Sequence, residues 1–472
     1  MSFLPPDDFE FRQWLAARLR PLETTQPGHD LYAPLHEGTP HDPVTRILRD
    51  IRLNETGDSL NLISGFSGAG KSSELRRLST ILDDDGFDSF IVDADDYFMA
   101  SEAVDIEVLL IKLAAAWCDS LDSSHEIDPG RPSYARRFWD WLNRTEVKIE
   151  GLEGGLGGNK LKLSLKDNPS VLQRVQEART KRPGVVLEAL RQLFQEITSA
   201  LRERSTSARS PVLMLDTLEK RSDTPSTGGL VAESFRTLLT AHMSDLAIPG
   251  LHLVLTMPPW IKLAGLGQDR VRMIYGVKLW QNTRDRKAWP DGYARMRAIV
   301  QRRFQDEGLQ RFFGDALSDG SRPLVDALIL ASGGHVRDLI TLLYEMLLDA
   351  PDGAPPAGHA IISEDNVRRV IAAHRSNFSR LSGEAAACLA EIARTRRCFF
   401  PDHGTEAILT LTRLFNSHHA FPLPNEDEWC DVHPLALEAV QALVKPPHKK
   451  TAPVSKKPKA TKNASRRAKR KS

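Results

Sequence analysis

Cysteine is scarce: Cys118, Cys388, Cys398 and Cys430 are the 4 in 472 residues, and no two form a CxxC pair. That excludes the disulfide framework of a small secreted domain and leads us to expect reduced thiols in a cytoplasmic protein. Long hydrophobic runs are missing too. Nothing approaches the ~18 consecutive apolar residues of a membrane-spanning helix, so no membrane association is expected. The opening MSFLPPDDFEF is acidic and proline-containing, without the basic and apolar stretches of a signal peptide. No internal repeat is visible. A hydrophobic content of 41% with 26% charged residues excludes a fibrous or wholly disordered chain, and the length suits about three domains.

A net charge of +1 conceals an asymmetry. Residues 445–472 hold 12 of the 63 Lys and Arg and none of the 62 Asp and Glu, so residues 1–444 carry 51 − 62 = −11. An acidic body thus ends in a basic tail, KPPHKKTAPVSKKPKATKNASRRAKRKS. The tail has almost no large apolar side chains to offset its ordering entropy and is expected to be disordered. Unopposed Lys and Arg suit a polyanion such as nucleic acid. The same charges also fit a solubilising tail, and no aromatics are interleaved for base stacking.

Residues 1–57 read as mixed helix and loop, with Phe11, Trp14, Leu15 and Leu19 at helical spacing. SLNLIS then forms a short apolar strand, followed by a glycine loop, a helical face of Leu75, Leu78 and Leu82, and a second strand, FDSFIVDAD, ending in carboxylates. Strand, loop, helix and strand in this order make a βαβ unit of a parallel α/β sheet. PVLMLD (Pro211–Asp216) and LHLVLT (Leu251–Thr256) are continuous apolar runs, as expected for strands buried on both faces. MIYGVKL (Met273–Leu279) offers a fifth strand. The region between Ala100 and Ser210 is otherwise helical, and a Gly-rich β-hairpin insertion is expected near 146–166. Residues 292–374 read as all helix, with Ser363 as an N-cap, and 378–443 as a small α/β or helical domain.

One motif carries clear chemistry. Gly65-Phe66-Ser67-Gly68-Ala69-Gly70-Lys71-Ser72 fits G-x-x-x-x-G-K-[ST] and is followed by Ser73. Its glycines let successive amides face phosphates, and the helix behind presents its positive end to the same anions. Lys71 is expected to reach the β- and γ-phosphates of ATP, and the Ser72 hydroxyl to ligate Mg²⁺. Asp216, closing an apolar strand, is the expected partner for Mg²⁺.

Thr217 follows it, where many ATPases carry a second acidic group; Glu219 is the nearest carboxylate, readable as general base or as a surface charge. Thr256 ends the next strand, either as a contact to the γ-phosphate or attacking water or as an ordinary strand-end threonine. Arg337, at a helix start after Gly333-Gly334, is either a phosphate sensor or a packing arginine; His335 beside it reads as a helix residue. Cys398, His403, His418, His419, Cys430 and His433 are zinc-ligand types. Their spacing matches no standard finger, and Cys430 and His433 alternate with Trp429 and Val432 as a packing strand would.

Taken in order, SGFSGAGKSSELRRLSTIL, PVLMLDTLEK, LHLVLTMPP and SGGHVRDLI resemble AAA-like P-loop ATPases, in the bacterial branch bordering the STAND and Orc/Cdc6-type ATPases. EWCDVHPLALEAV is similar to their C-terminal winged-helix segment. The resemblance implies an ATPase core over 58–285, a helical lid over 286–376, a winged-helix-like domain over 377–444 and the tail at 445–472. It also implies a nucleotide-dependent switch in a DNA-related or defence system, with a protein or nucleic-acid partner and a homo-oligomeric assembly. Lys71, Asp216, Glu219, Thr256 and Arg337 would then be its catalytic set. No arginine finger is assigned. A nucleic-acid-binding protein with a non-hydrolysing nucleotide site and a P-loop small-molecule kinase are the alternatives.

Overall fold

In a computed structural model the described residues are 4, 7–20, 25–124, 133–144, 165–166, 177, 184–204, 208–221, 224, 229–267, 270–283, 285–318, 320–351, 360–397, 410, 413–424 and 429–444. Five parallel strands form the centre: β1 (Ser59–Gly65), β2 (Ser89–Asp93), β3 (Val212–Asp216), β4 (His252–Met257) and β5 (Val271–Ile274), in the spatial order β2-β3-β4-β1-β5. β3 and β4 are buried at every residue, which is why their sequences are continuous apolar runs; the edge strand β2 alternates. Register brings Asp93 opposite Asp216 and Leu215 opposite Leu255, so the carboxyl ends of the strands share one edge.

The helices follow from local signals. α1 (Asp8–Arg18) is capped by Asp7, and α2 (Pro43–Leu53) starts with Asp42 accepting from the Val44 and Thr45 amides and Pro43 in its first turn. α3 (Lys71–Asp84) leaves the glycine loop and packs on β2 and β3. α4 (Ile106–Ser124), nearly all buried, packs against β2, α5 (Tyr134–Arg144) and α6 (Val185–Arg204). α7 (Leu230–Ala241) precedes β4. Then come α8 (Pro290–Phe313), broken at Gln305 (φ 60°), α9 (Pro323–Ala331), α10 (Val336–Leu348) and α11 (Glu364–Arg375). Ser363 caps α11 in a reciprocal box with Asn366. Last, α12 (Gly383–Thr395) and α13 (Leu437–Val444) pack together beside the antiparallel pair β6 (Ala420–Leu423) and β7 (Trp429–Val432).

Two expectations need correction, the fifth strand and the reduced thiols; the hairpin falls almost wholly outside the described residues. The fifth strand starts earlier and ends at Ile274, because the chain then turns to donate from Val277 N to Gly334 O at 2.9 Å, joining the glycine pair ahead of α10 instead of the sheet. Of the hairpin expected at 146–166, only Leu165 and Lys166 are described; they are helical, with Leu165 buried and the Lys166 ammonium on Asp95 O. Cys430 is disulfide-bonded, whereas Cys118 and Cys388 are free thiols. Cys398, His403 and the basic tail lie outside the described residues, in which no helix is long and apolar enough to cross a membrane.

Two histidines outside the site make stability pH-dependent. Burial holds His36 and His252 down to about 4 from the ordinary 6.5; for His36 the Arg77 charge adds to this. The unfolded chain therefore binds more protons than the folded one between those values. Unfolding free energy should fall with acid from pH 6.5 to 4, by up to about 1.4 kcal/mol per pH unit for each ring. Denaturant titrations across that window check this: His36→Gln with His252→Gln should flatten the slope.

Candidate nucleotide site

The strand order places β4 between β1 and β3, so the loop after β1 and the carboxylate ending β3 face each other across a gap at the carboxyl edge of the sheet, where open α/β sheets bind ligands. The gap is a cavity of about 480 Å³. Ser67, Gly68, Gly70, Lys71, Ser72 and Ser73 line one side, and Asp93, Asp216, Thr217 and Glu219 the other. Val336, Arg337 and Ile340 of α10 form a wall, joined by Arg303 of α8 and by Arg76 and Thr25.

Backbone geometry makes the loop. Gly70 has φ 100° and is the N-cap of α3, a left-handed position that a side chain rarely adopts. The opening amides of α3 have no partner within the helix and are available to an anion. Gly68, at φ 80°, lies so close to α10 that a Cβ would stand 2.7 Å from Arg337 Cβ and 2.9 Å from His335 Cε1. Gly68→Ala should cost about 1–3 kcal/mol of stability and weaken nucleotide binding. Chemical denaturation and calorimetry read both, and unchanged values would show that this approach is unimportant.

Lys71 is buried. Its ammonium donates to Gly65 O at 2.8 Å and Phe66 O at 2.6 Å, and pairs with Glu219 Oε1 at 3.0 Å. The other Glu219 oxygen is buried without a hydrogen-bond partner. Phe66 points its ring into the core, 5.4 Å from the Phe415 ring, and Ala69 is buried; neither side chain reaches the cavity.

Asp216 accepts from the Ser72 hydroxyl and, at 2.8 Å, from the Thr217 amide. Burial, then the Glu219 charge, push its carboxyl above the usual range. The Ser72 hydroxyl and the Asp216 carboxyl in contact, with the Lys71-paired Glu219 carboxylate nearby, are hard oxygen donors. That donor set fits a divalent cation of the Mg²⁺ type.

Thr217, at φ 62°, turns its hydroxyl to Asp93 and also accepts from the Asp95 amide at 3.1 Å. Thr256 is not brought into the cavity. It is fully buried, accepting from the Leu218 amide at 3.0 Å and donating to Leu215 O at 3.2 Å, so its hydroxyl ties β4 to the turn that carries Glu219. Arg337 does line the cavity, donating to Ser67 Oγ at 2.8 Å from the first turn of α10. His335, the N-cap of α10, places Nε2 2.7 Å from Ser67 O. Sequence reasoning missed Arg303, Arg76, Thr25 and Lys220, which also line the cavity. Only the carboxylates noted at the end of β2 pointed to Asp93.

With lysine and arginines facing three carboxylates, the arrangement suits a polyanion and a cation together.

No family model matches this chain, and no curated protein matches it. Solved structures do. The Aeropyrum pernix ORC2 protein, in its ADPNP-ADP complexes, is 14% identical with a TM-score of 0.39, covering 90% of this chain and 96% of that one. Cdc6p from Pyrobaculum aerophilum is 14% identical with a TM-score of 0.36, covering 91% and 97%. The Aeropyrum pernix ORC1 protein in complex with DNA is 11% identical with a TM-score of 0.33, covering 91% and 96%.

Proposed function

We propose that this chain is a nucleoside-triphosphate-binding regulatory ATPase of the AAA type, in which ATP occupancy sets the arrangement of α10 and the C-terminal elements against the sheet. One observation carries the reading: the glycine loop, Lys71, Ser72, Asp216 and Glu219 converge on a single cavity at the carboxyl edge of a β2-β3-β4-β1-β5 sheet.

The residues divide the work. The loop amides and the start of α3 hold the phosphates, and Lys71 turns from Glu219 to the terminal phosphate oxygens. Ser72 and Asp216 would hold Mg²⁺, which neutralises phosphate charge when bound. Released from Lys71, Glu219 orients a water and accepts its proton. Arg337 stabilises the terminal phosphate from α10, so loss of that phosphate removes a tie between α10 and the loop. The nucleotide moves the equilibrium only by its difference in affinity for the two arrangements.

Phosphate release from ATP without any acceptor, measured with and without DNA, tests this reading. Acceptor-independent turnover supports it. Strict dependence on a small-molecule acceptor makes the chain a kinase, and no turnover with tight DNA binding makes it a nucleic-acid-binding protein with a non-hydrolysing site. The DNA arm rests on the 12 positive charges of residues 445–472. Its affinity should fall steeply with salt and vanish when that segment is deleted.

A further inference from the structure

Asp338, in the first turn of α10, is buried among histidines that come from three parts of the chain. His335 Nδ1 lies 3.2 Å from its Oδ1 and His418 Nδ1 3.3 Å from both oxygens; His433 Nε2 lies 3.8 Å from Oδ2. The hydrogen bonds around the rings assign their protons. His433 Nδ1 accepts from the Leu435 amide, so its proton is on Nε2, turned to Asp338. His335 Nε2 faces Ser67 O, which can only accept, so Nε2 carries a proton. That buried Nδ1 has no hydrogen-bond partner although a carboxylate stands 3.2 Å away. A ring nitrogen this close to a buried carboxylate calls for a positive charge between them, either a proton on Nδ1 or a metal ion in its place.

We propose that His335 Nδ1, Asp338 and His418 Nδ1 form a transition-metal site, with zinc as the best-suited ion. Two imidazoles and one carboxylate are a zinc donor set. The separations of 3.2 and 3.3 Å match the ~3.3 Å edge of a tetrahedron of ligands at about 2.0–2.1 Å, and one donor atom from each residue lies within 4.8 Å of the others. The supporting shell is present. His335 Nε2 rests on Ser67 O, fixing the ring that offers Nδ1; His433 turns its Nε2 toward Asp338 and is itself stacked on Phe378 at 4.2 Å. The ion would join the glycine loop, α10 and the turn before β6.

The experiment uses the full chain without nucleotide. After chelation and dialysis it is titrated with Co²⁺, and the cobalt is then displaced by Zn²⁺. One equivalent should bind with the visible absorption of tetrahedral cobalt. Asp338→Asn and His418→Asn should each weaken uptake by at least about 100-fold, while Asp216→Asn, in the nucleotide cavity, keeps it. His418 is only partly buried, and metal-free thermal unfolding of its variant verifies the fold. The site is refuted if the folded chain takes up no stoichiometric cobalt, if uptake survives both substitutions, or if Asp216→Asn is the variant that loses it.

Discussion

Lys71→Ala is expected to abolish ATP binding. The ammonium it removes is the buried cation closest to the loop, held by two loop carbonyls and Glu219. Hydrogen bonds to charged groups contribute about 1.5–3 kcal/mol each. Losing the one to phosphate alone weakens binding by about ten- to a hundred-fold. The deletion also leaves Glu219 buried and unopposed, with its negative charge turned on the incoming phosphates. We therefore expect a loss of more than about 100-fold in affinity, measured by calorimetry. Removing one partner of a buried pair costs about 3–5 kcal/mol of stability, so the folded fraction needs its own control. In Lys71→Ala with Glu219→Gln the orphaned charge is gone: stability should return and binding should not.

Glu219→Gln alone separates binding from chemistry. Lys71 keeps its two carbonyls, and a negative charge leaves the phosphate cavity, so ATP should bind as tightly as before or more tightly. A general base contributes about 10²–10⁴-fold, and phosphate release should drop by at least about 100-fold. Asp216 supplies a second readout. The Glu219 charge helps hold its carboxyl up, so the substitution should move it toward the ordinary carboxylate range. Wild-type turnover in Glu219→Gln would remove Glu219 as the base.

What could be read from the sequence depended on whether the chemistry was contiguous. The glycine loop is eight neighbouring residues whose conformation is set by their own backbones, and Asp216 closes a run that only a doubly buried strand would carry. Both could be placed before any tertiary contact was known. Thr256 could not, because its position at a strand end does not say which neighbour its hydroxyl meets. It faces β3 and is consumed by Leu215 and Leu218. Arg303 gave no signal at all: it is one arginine among several on α8 and reaches the cavity through packing. His335, Asp338, His418 and His433 are scattered over about a hundred residues and meet only because the segment before β6 and the turn after β7 both fold back on α10. The end of β5 was misread for the same reason. The apolar run continues past Ile274, but the Gly334 carbonyl, distant in sequence, takes the Val277 amide out of the sheet.

The central claim is that a triphosphate and a divalent cation occupy the cavity between the glycine loop and Asp216. Calorimetric titration of the folded chain with ATP and Mg²⁺ tests it most directly. The account predicts saturable heat at one nucleotide per chain, lost in Lys71→Ala and retained in Glu219→Gln. No heat from adenine or guanine nucleotides on folded protein would contradict it.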